Sequence, residues 1–166
     1  MNLKTIRALL RYNKEQEDID FDFYRDFEML SGLKDSEIRK LHDYFINKTY
    51  RKGEIIFREN HPSAVIYIIK HGKVRLYMNF PNNEVIVRLV EEKKHFGEIG
   101  IFIEANRVTS AIAVVDSELI AIKKSDFISF INNNPSTGIK LMYNLGRTVS
   151  NELVNALKTI WGYETE

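Results

Sequence analysis

From Lys48 onward the apolar residues of this chain recur at every second position, in short runs broken by turn signals. Thr49 to Arg51, Glu54 to Arg58, Val65 to Lys70, Lys73 to Asn79 and Glu84 to Glu91 read as strands, and Thr109 to Val115 and Glu118 to Ile122 add two more. In Lys73-Val74-Arg75-Leu76-Tyr77-Met78 the alternation is unbroken, with Val74, Leu76 and Met78 on one face. The separators are Lys52-Gly53, Asn60-His61-Pro62-Ser63, His71-Gly72 and Pro81-Asn82-Asn83. Short strands at this spacing bury an apolar face only by closing into a sandwich or barrel, so a jelly-roll-like β-roll is expected.

Both flanks change period. Residues 1–47 read as a helical lead-in: Leu3, Ile6, Leu9 and Leu10 make one stripe, and Glu15 to Asp22 is an acidic bend. Phe23, Phe27, Leu30 and Leu33 then form an apolar patch. Asp35 or Ser36 is placed to cap a helix with Ile38, Leu41, Tyr44 and Phe45 on its inner face. Beyond the roll, assigned to 48–125, residues 126–166 are helical. A short helix from Ser125 to Asn132 is broken at Asn133-Asn134-Pro135-Ser136, and a long one runs from Ser136 to Trp161. Ile139, Met142, Gly146, Val149, Leu153, Ala156 and Ile160 keep heptad spacing along it, a seam that fits a helix-mediated homodimer. The class expected is mainly β with flanking helices.

Composition removes several functions. The formal net charge of +1 gives no field to draw in nucleic acid or a membrane surface. There is no cysteine, hence no disulfide or thiolate chemistry. No apolar run reaches membrane-spanning length and Met1-Asn2-Leu3-Lys4 opens no signal peptide, so a cytoplasmic location is expected. His42, His61, His71 and His95 form no His-x-His element, which weighs against a cupin-like metalloenzyme, and no metal site is expected. No nucleophile–base or paired acid–base spacing stands out, so the chain is not expected to be an enzyme.

One stretch carries the chemistry: Phe96-Gly97-Glu98-Ile99-Gly100-Ile101-Phe102, then Asn106-Arg107-Val108-Thr109-Ser110-Ala111. Gly97 and Gly100 allow a tight turn or a close backbone approach. Glu98 falls at the start of a short helix, where unpaired N–H groups face an incoming anion. Arg107 brings a planar fork that a phosphate accepts bidentately, and Glu98 accepts hydrogen bonds from sugar hydroxyls. The residues suit a ligand with one phosphate and one ribose, although a surface Glu–Arg pair beside a structural turn fits the same spacing.

This stretch resembles the phosphate-binding cassette of the cyclic-nucleotide-binding domain family, which includes catabolite-activator-like and protein-kinase-A-regulatory-subunit-like sensor domains. Phe96, Gly97, Glu98 and Arg107 match at the family's spacing, Lys52-Gly53 and His71-Gly72 resemble its glycine-marked turns, and the likeness covers residues 27–150. The resemblance implies a ligand site of Phe96, Gly97, Glu98, Ile99, Gly100, Arg107, Val108, Thr109 and Ser110 within a cassette at 96–111. Glu98 would take the ribose 2′-hydroxyl and Arg107 the cyclic phosphate. It also implies a base cap from the long helix, near Ser150, Asn151, Glu152 and Leu153. Two departures stand out. Glu91-Glu92-Lys93-Lys94 fills a turn where the family carries glycine, and Val108 and Thr109 replace smaller residues after the arginine. Val108 offers no hydroxyl, which favours cyclic AMP over cyclic GMP.

The expected function is thus a cyclic-nucleotide sensor, signalling through the C-terminal helix to a protein effector. The alternatives are a fold that has lost this ligand and serves as a protein-interaction module, or one that takes another nucleotide. After Trp161 too few residues follow for a helix-turn-helix, so no DNA-binding domain and no direct DNA binding are expected.

Overall fold

The computed structural model describes residues 19–81 and 83–161. The stripe from Leu3 to Leu10 lies outside them, as do the first residues of the acidic bend. Helix α1 (Phe21–Arg25) starts where the Asp20 carboxylate accepts from Phe23 N–H at 2.9 Å, an N-cap. A 3-10 turn (Glu28–Leu30) and α2 (Asp35–His42) follow. The cap of α2 is Lys34, ahead of both expected candidates, Asp35 and Ser36, because Glu37 reaches back to accept from Lys34 N–H at 2.7 Å. The helix ends at His42, so Tyr44 and Phe45 reach the core from the connection to β1.

The strands are β1 (Ile46–Tyr50), β2 (Ile55–Phe57), β3 (Val65–His71), β4 (Val74–Phe80), β5 (Asn83–Val90), β6 (His95–Phe96), β7 (Ser110–Ala113) and β8 (Ser117–Lys123). A short helix α3 (Ile99–Phe102) stands between β6 and β7, and α4 (Lys124–Asn133) and α5 (Pro135–Trp161) close the order. Two four-stranded antiparallel sheets result, β1-β8-β3-β6 and β2-β7-β4-β5. This is the expected mainly β roll with flanking helices.

Alternation along β3 and β8 builds the layers. Ile66, Ile68, Ile120 and Ile122 point to the helices and join Phe27, Leu30, Ile38, Phe127 and Leu141 in one cluster. Tyr67, Ile69, Leu119 and Ala121 point the other way and meet Val74, Leu76 and Phe96 between the sheets. The first sheet is therefore a middle layer, covered on both faces, which is why β3 reads as a nearly continuous apolar run. Each fully buried isoleucine adds about 1.5–3 kcal/mol of burial.

Three local features differ from the expected pattern. The β4–β5 register shifts between Leu76, opposite Arg88, and Tyr77, opposite Ile86, so Val87 is an extra residue on β5. Lys93 takes φ 65°, the left-handed conformation that glycine adopts readily, in the turn before β6. Finally, α5 packs on the domain through Thr137, Gly138, Leu141, Asn144, Leu145 and Thr148. The ends of the heptad seam lie off this face, with Ile139 and Ile160 each 72% exposed, while Met142 of the same seam packs against the core cluster. Asn144 decides the docked face: its amide donates to Met29 O at 3.0 Å and to Ser31 O at 2.8 Å.

Candidate functional site

The glycine turn after β6 aims the cassette inward. Gly97 has φ 85°, and a Cβ there would lie 2.5 Å from Arg107 Nη1 and 3.0 Å from Val65 O. Gly100 packs on the backbone and side chain of Ser63, where a Cβ would overlap both. The return limb is pinned to the β2–β3 loop: Asn60 N–H donates to Arg107 O at 2.9 Å, and Arg107 N–H donates to His61 O at 2.8 Å. Glu98 and Arg107 are thereby fixed from both ends of the loop.

Both side chains are buried, Glu98 to 2% and Arg107 to 6% exposure. Arg107 donates from Nη1 to Gly97 O at 3.1 Å and from Nη2 to Val65 O at 2.5 Å, and its guanidinium lies 4.0 Å from the Phe57 ring centroid. Its Nε has no partner. Burial pushes the Glu98 carboxyl above the ordinary carboxylate value, against a hydrogen bond from its own backbone N–H and the pull of Arg88 and Arg107. Its Oε2 is buried without a hydrogen-bond partner. A buried acceptor left unpaired is costly, and a ligand hydroxyl in the cavity would satisfy it.

Both residues face a cavity of about 580 Å³, within the usual range for small-molecule pockets. Gly97, Glu98, Ile99, Gly100, Arg107, Val108 and Thr109 form one wall. Phe57, Leu76, Val87 and Arg88 form the strand wall, and Val149, Glu152, Leu153, Asn155, Ala156 and Thr159 of α5 form the roof. Burial disfavours the charge of Arg88, while Glu98 and Glu28 favour it, and its Nη1 donates to the Glu152 carboxylate on α5.

The cavity thus brings together seven of the cassette residues expected in the site, and Glu152 and Leu153 of the expected cap. Phe96 stands apart in the core, stacked on Tyr67 at 5.2 Å. Ser110 is also buried away from the cavity, its Oγ accepting from Glu59 N–H at 3.0 Å. The Ser150 hydroxyl donates back to Gly146 O at 2.8 Å, and Asn151 opens on a neighbouring crevice of about 250 Å³. Sequence reasoning missed Phe57, Arg88, Asn155 and Thr159. Arg88 had a usable signal, as a lone cation inside Val85-Ile86-Val87-Arg88-Leu89-Val90.

Among the described residues no three His, Cys, Asp or Glu side chains are grouped to hold a metal ion, and no helix is long and apolar enough to cross a membrane.

A cassette carrying buried acid and base, set in a β-roll and roofed by a helix, defines a ligand-binding module. Residues 47–134 match the family model of the cyclic nucleotide-binding domain, and the chain belongs to that family. It is 30% identical over 120 residues to the cyclic AMP receptor protein of Thermus thermophilus, a match that covers 72% of this chain and 56% of that protein. Among solved structures it is similar to the Thermus thermophilus catabolite activator protein, with TM-score 0.71 and 28% identity over 80% of this chain and 61% of that one. The fold is shared with the regulatory subunit of a cAMP-independent protein kinase A from Trypanosoma brucei, with TM-score 0.69 and 21% identity, covering 82% and 47% of the two chains. The chain therefore spans little more than half the length of the receptor protein it matches.

Proposed function

We propose that this protein is a cyclic-nucleotide sensor that binds cyclic AMP, with the cyclic phosphate at Arg107 and the ribose 2′-hydroxyl at Glu98. The observation that carries the reading is the pairing of a buried, partnerless Glu98 Oε2 with the Arg107 guanidinium on one cavity wall. The likeness to a cyclic AMP receptor protein supports the same class of ligand. Val108 and Thr109 border the cavity beside Arg107, and Val108 brings a methyl-only face where a guanine-directed hydroxyl would serve cyclic GMP.

In this reading the roll senses and α5 reports. Glu152 and Leu153 cap the base, and the helix passes the change in occupancy to a protein effector in the cytoplasm. The ligand must bind one position of α5 better than another for any signal to arise. The exposed residues of the seam, among them Ile139 and Ile160, serve a homodimer.

A thermal-shift screen against cyclic mono- and dinucleotides tests the ligand. Cyclic AMP is expected to raise the melting temperature by mass action on the folded state, and more than cyclic GMP does. No shift with any cyclic mono- or dinucleotide at millimolar concentration refutes the sensor and leaves the interaction module. A shift with a cyclic dinucleotide alone moves the site to another ligand.

A further inference from the structure

Arg88 has no place in the cassette, yet the electrostatics of the site converge on it. It sits on β5 directly after the extra residue Val87, and the shift in register turns two consecutive side chains, Val87 and Arg88, toward the cavity. Its Nη1 donates to the Glu152 carboxylate on α5 and its Nη2 donates to His95 O at 3.2 Å. The Arg88 side chain is 21% exposed and that of Glu152 34%, so the pair is partly withdrawn from water and its attraction is less screened than at an open surface. Arg88 and Glu152, with Asn155, border both the main cavity and the neighbouring crevice, and so form the partition between them.

The contact also lies where α5 needs one. The last residue of the helix that is buried against the domain is Thr148, and past it α5 runs on with Leu153, Val154, Ile160 and Trp161 exposed. Arg88–Glu152 is the ion pair that reaches this distal half among the described residues. We propose that Arg88 is a positioning residue of the ligand site, holding Glu152 and the distal half of α5 over the cavity as a latch. The ligand side of this inference rests on the sensor reading above. The latch itself does not.

Amide hydrogen exchange across residues 149–161 in the ligand-free protein tests the latch, with cyclic AMP affinity measured on the same variants. Arg88→Met and Glu152→Gln are each expected to speed exchange there roughly tenfold, and the double variant no further, because both remove one contact. Arg88→Lys is expected to restore part of the protection. Affinity for cyclic AMP is expected to fall several-fold in Arg88→Met. Native-like exchange in Arg88→Met, or strictly additive effects in the double variant, overturns the latch. A native protein that binds no cyclic nucleotide overturns the sensor reading instead, while the exchange data still decide the latch. Should Arg88→Met fold poorly, the Glu152→Gln comparison carries the decision alone.

Discussion

Gly97 and Arg107 fix each other: Arg107 Nη1 donates to Gly97 O at 3.1 Å, and that nitrogen occupies the space a Cβ on Gly97 would need. The glycine thus supplies a φ of 85° and also the room in which the guanidinium sits over the Phe57 ring. Gly97→Ala is expected to cost about 1–3 kcal/mol, from backbone strain and displacement of the guanidinium. A thermal melt should show this as a fall of several degrees. A melting temperature equal to the native one would mean that the loop has another low-energy path.

Glu37 links α2 to α5. Burial works against its ionised form, but hydrogen bonds from Lys140, the Lys34 backbone and Thr137 prevail and bring the pKa from 4.5 to about 2. The folded state therefore holds the proton less tightly than the unfolded one. Its contribution is fully present above about pH 4.5 and is lost as pH falls toward 2. Glu37→Gln is expected to lower stability at neutral pH by on the order of 2–3 kcal/mol and to flatten this acid limb. Urea unfolding at pH 7, 4 and 3 reads both effects. An unchanged difference between native and variant across that range would contradict the assignment.

Glu98 runs the other way. Its carboxyl is raised by burial, so the folded state binds the proton more tightly and stability falls as pH climbs from the ordinary carboxylate value through the raised one. Glu98→Gln is expected to remove this fall, stabilising the ligand-free protein more at pH 8 than at pH 4. The carboxylate is then kept at a cost to the ligand-free fold. Thermal melts of both proteins at the two pH values measure it. Equal shifts at both would show that the carboxyl is not strained by burial.

How much of this was legible in the sequence depends on the period. Strands that alternate strictly were visible, as was the roll they form, because Val74 and Leu76 repeat at period two and turn residues bound the run. The two-residue β6 was not, since its pairing of Tyr67 with Phe96 and Ile68 with His95 is imposed by β3. Glu98 and Arg107 were legible because chemistry and spacing are local. Arg88 and Phe57 enter the cavity through a register shift and through the packing of distant strands, neither of which local spacing encodes. The docked face of α5 was also hidden. Its key contact is an asparagine reaching two carbonyls more than a hundred residues away, and a scan for apolar periodicity passes over it.

The heptad seam yields a prediction of its own. Nothing lies within 4 Å of where a Cβ on Gly146 would sit, and glycine within a helix costs about 1 kcal/mol relative to alanine. Gly146→Ala is expected to raise the melting temperature of the monomer by about 2–4 °C. With a homodimer on this seam, Ile160→Lys is expected to abolish association while leaving the monomer fold intact, because Ile160 is 72% exposed. Sedimentation velocity separates the cases. A native protein that runs as a monomer at all accessible concentrations contradicts the dimer.

The most direct test of the account is calorimetric titration of the native protein, Glu98→Ala and Arg107→Ala with cyclic AMP and its 2′-deoxy analogue. The account predicts one cyclic AMP per native chain. It predicts roughly tenfold to hundredfold weaker binding in Arg107→Ala, from the loss of charge-assisted hydrogen bonds. It also predicts weaker binding of the deoxy analogue to the native protein, with the two ligands equal in Glu98→Ala, which leaves no acceptor for the 2′-hydroxyl. Absence of binding at millimolar cyclic AMP, or a native protein that holds the deoxy analogue as tightly as cyclic AMP, would contradict it.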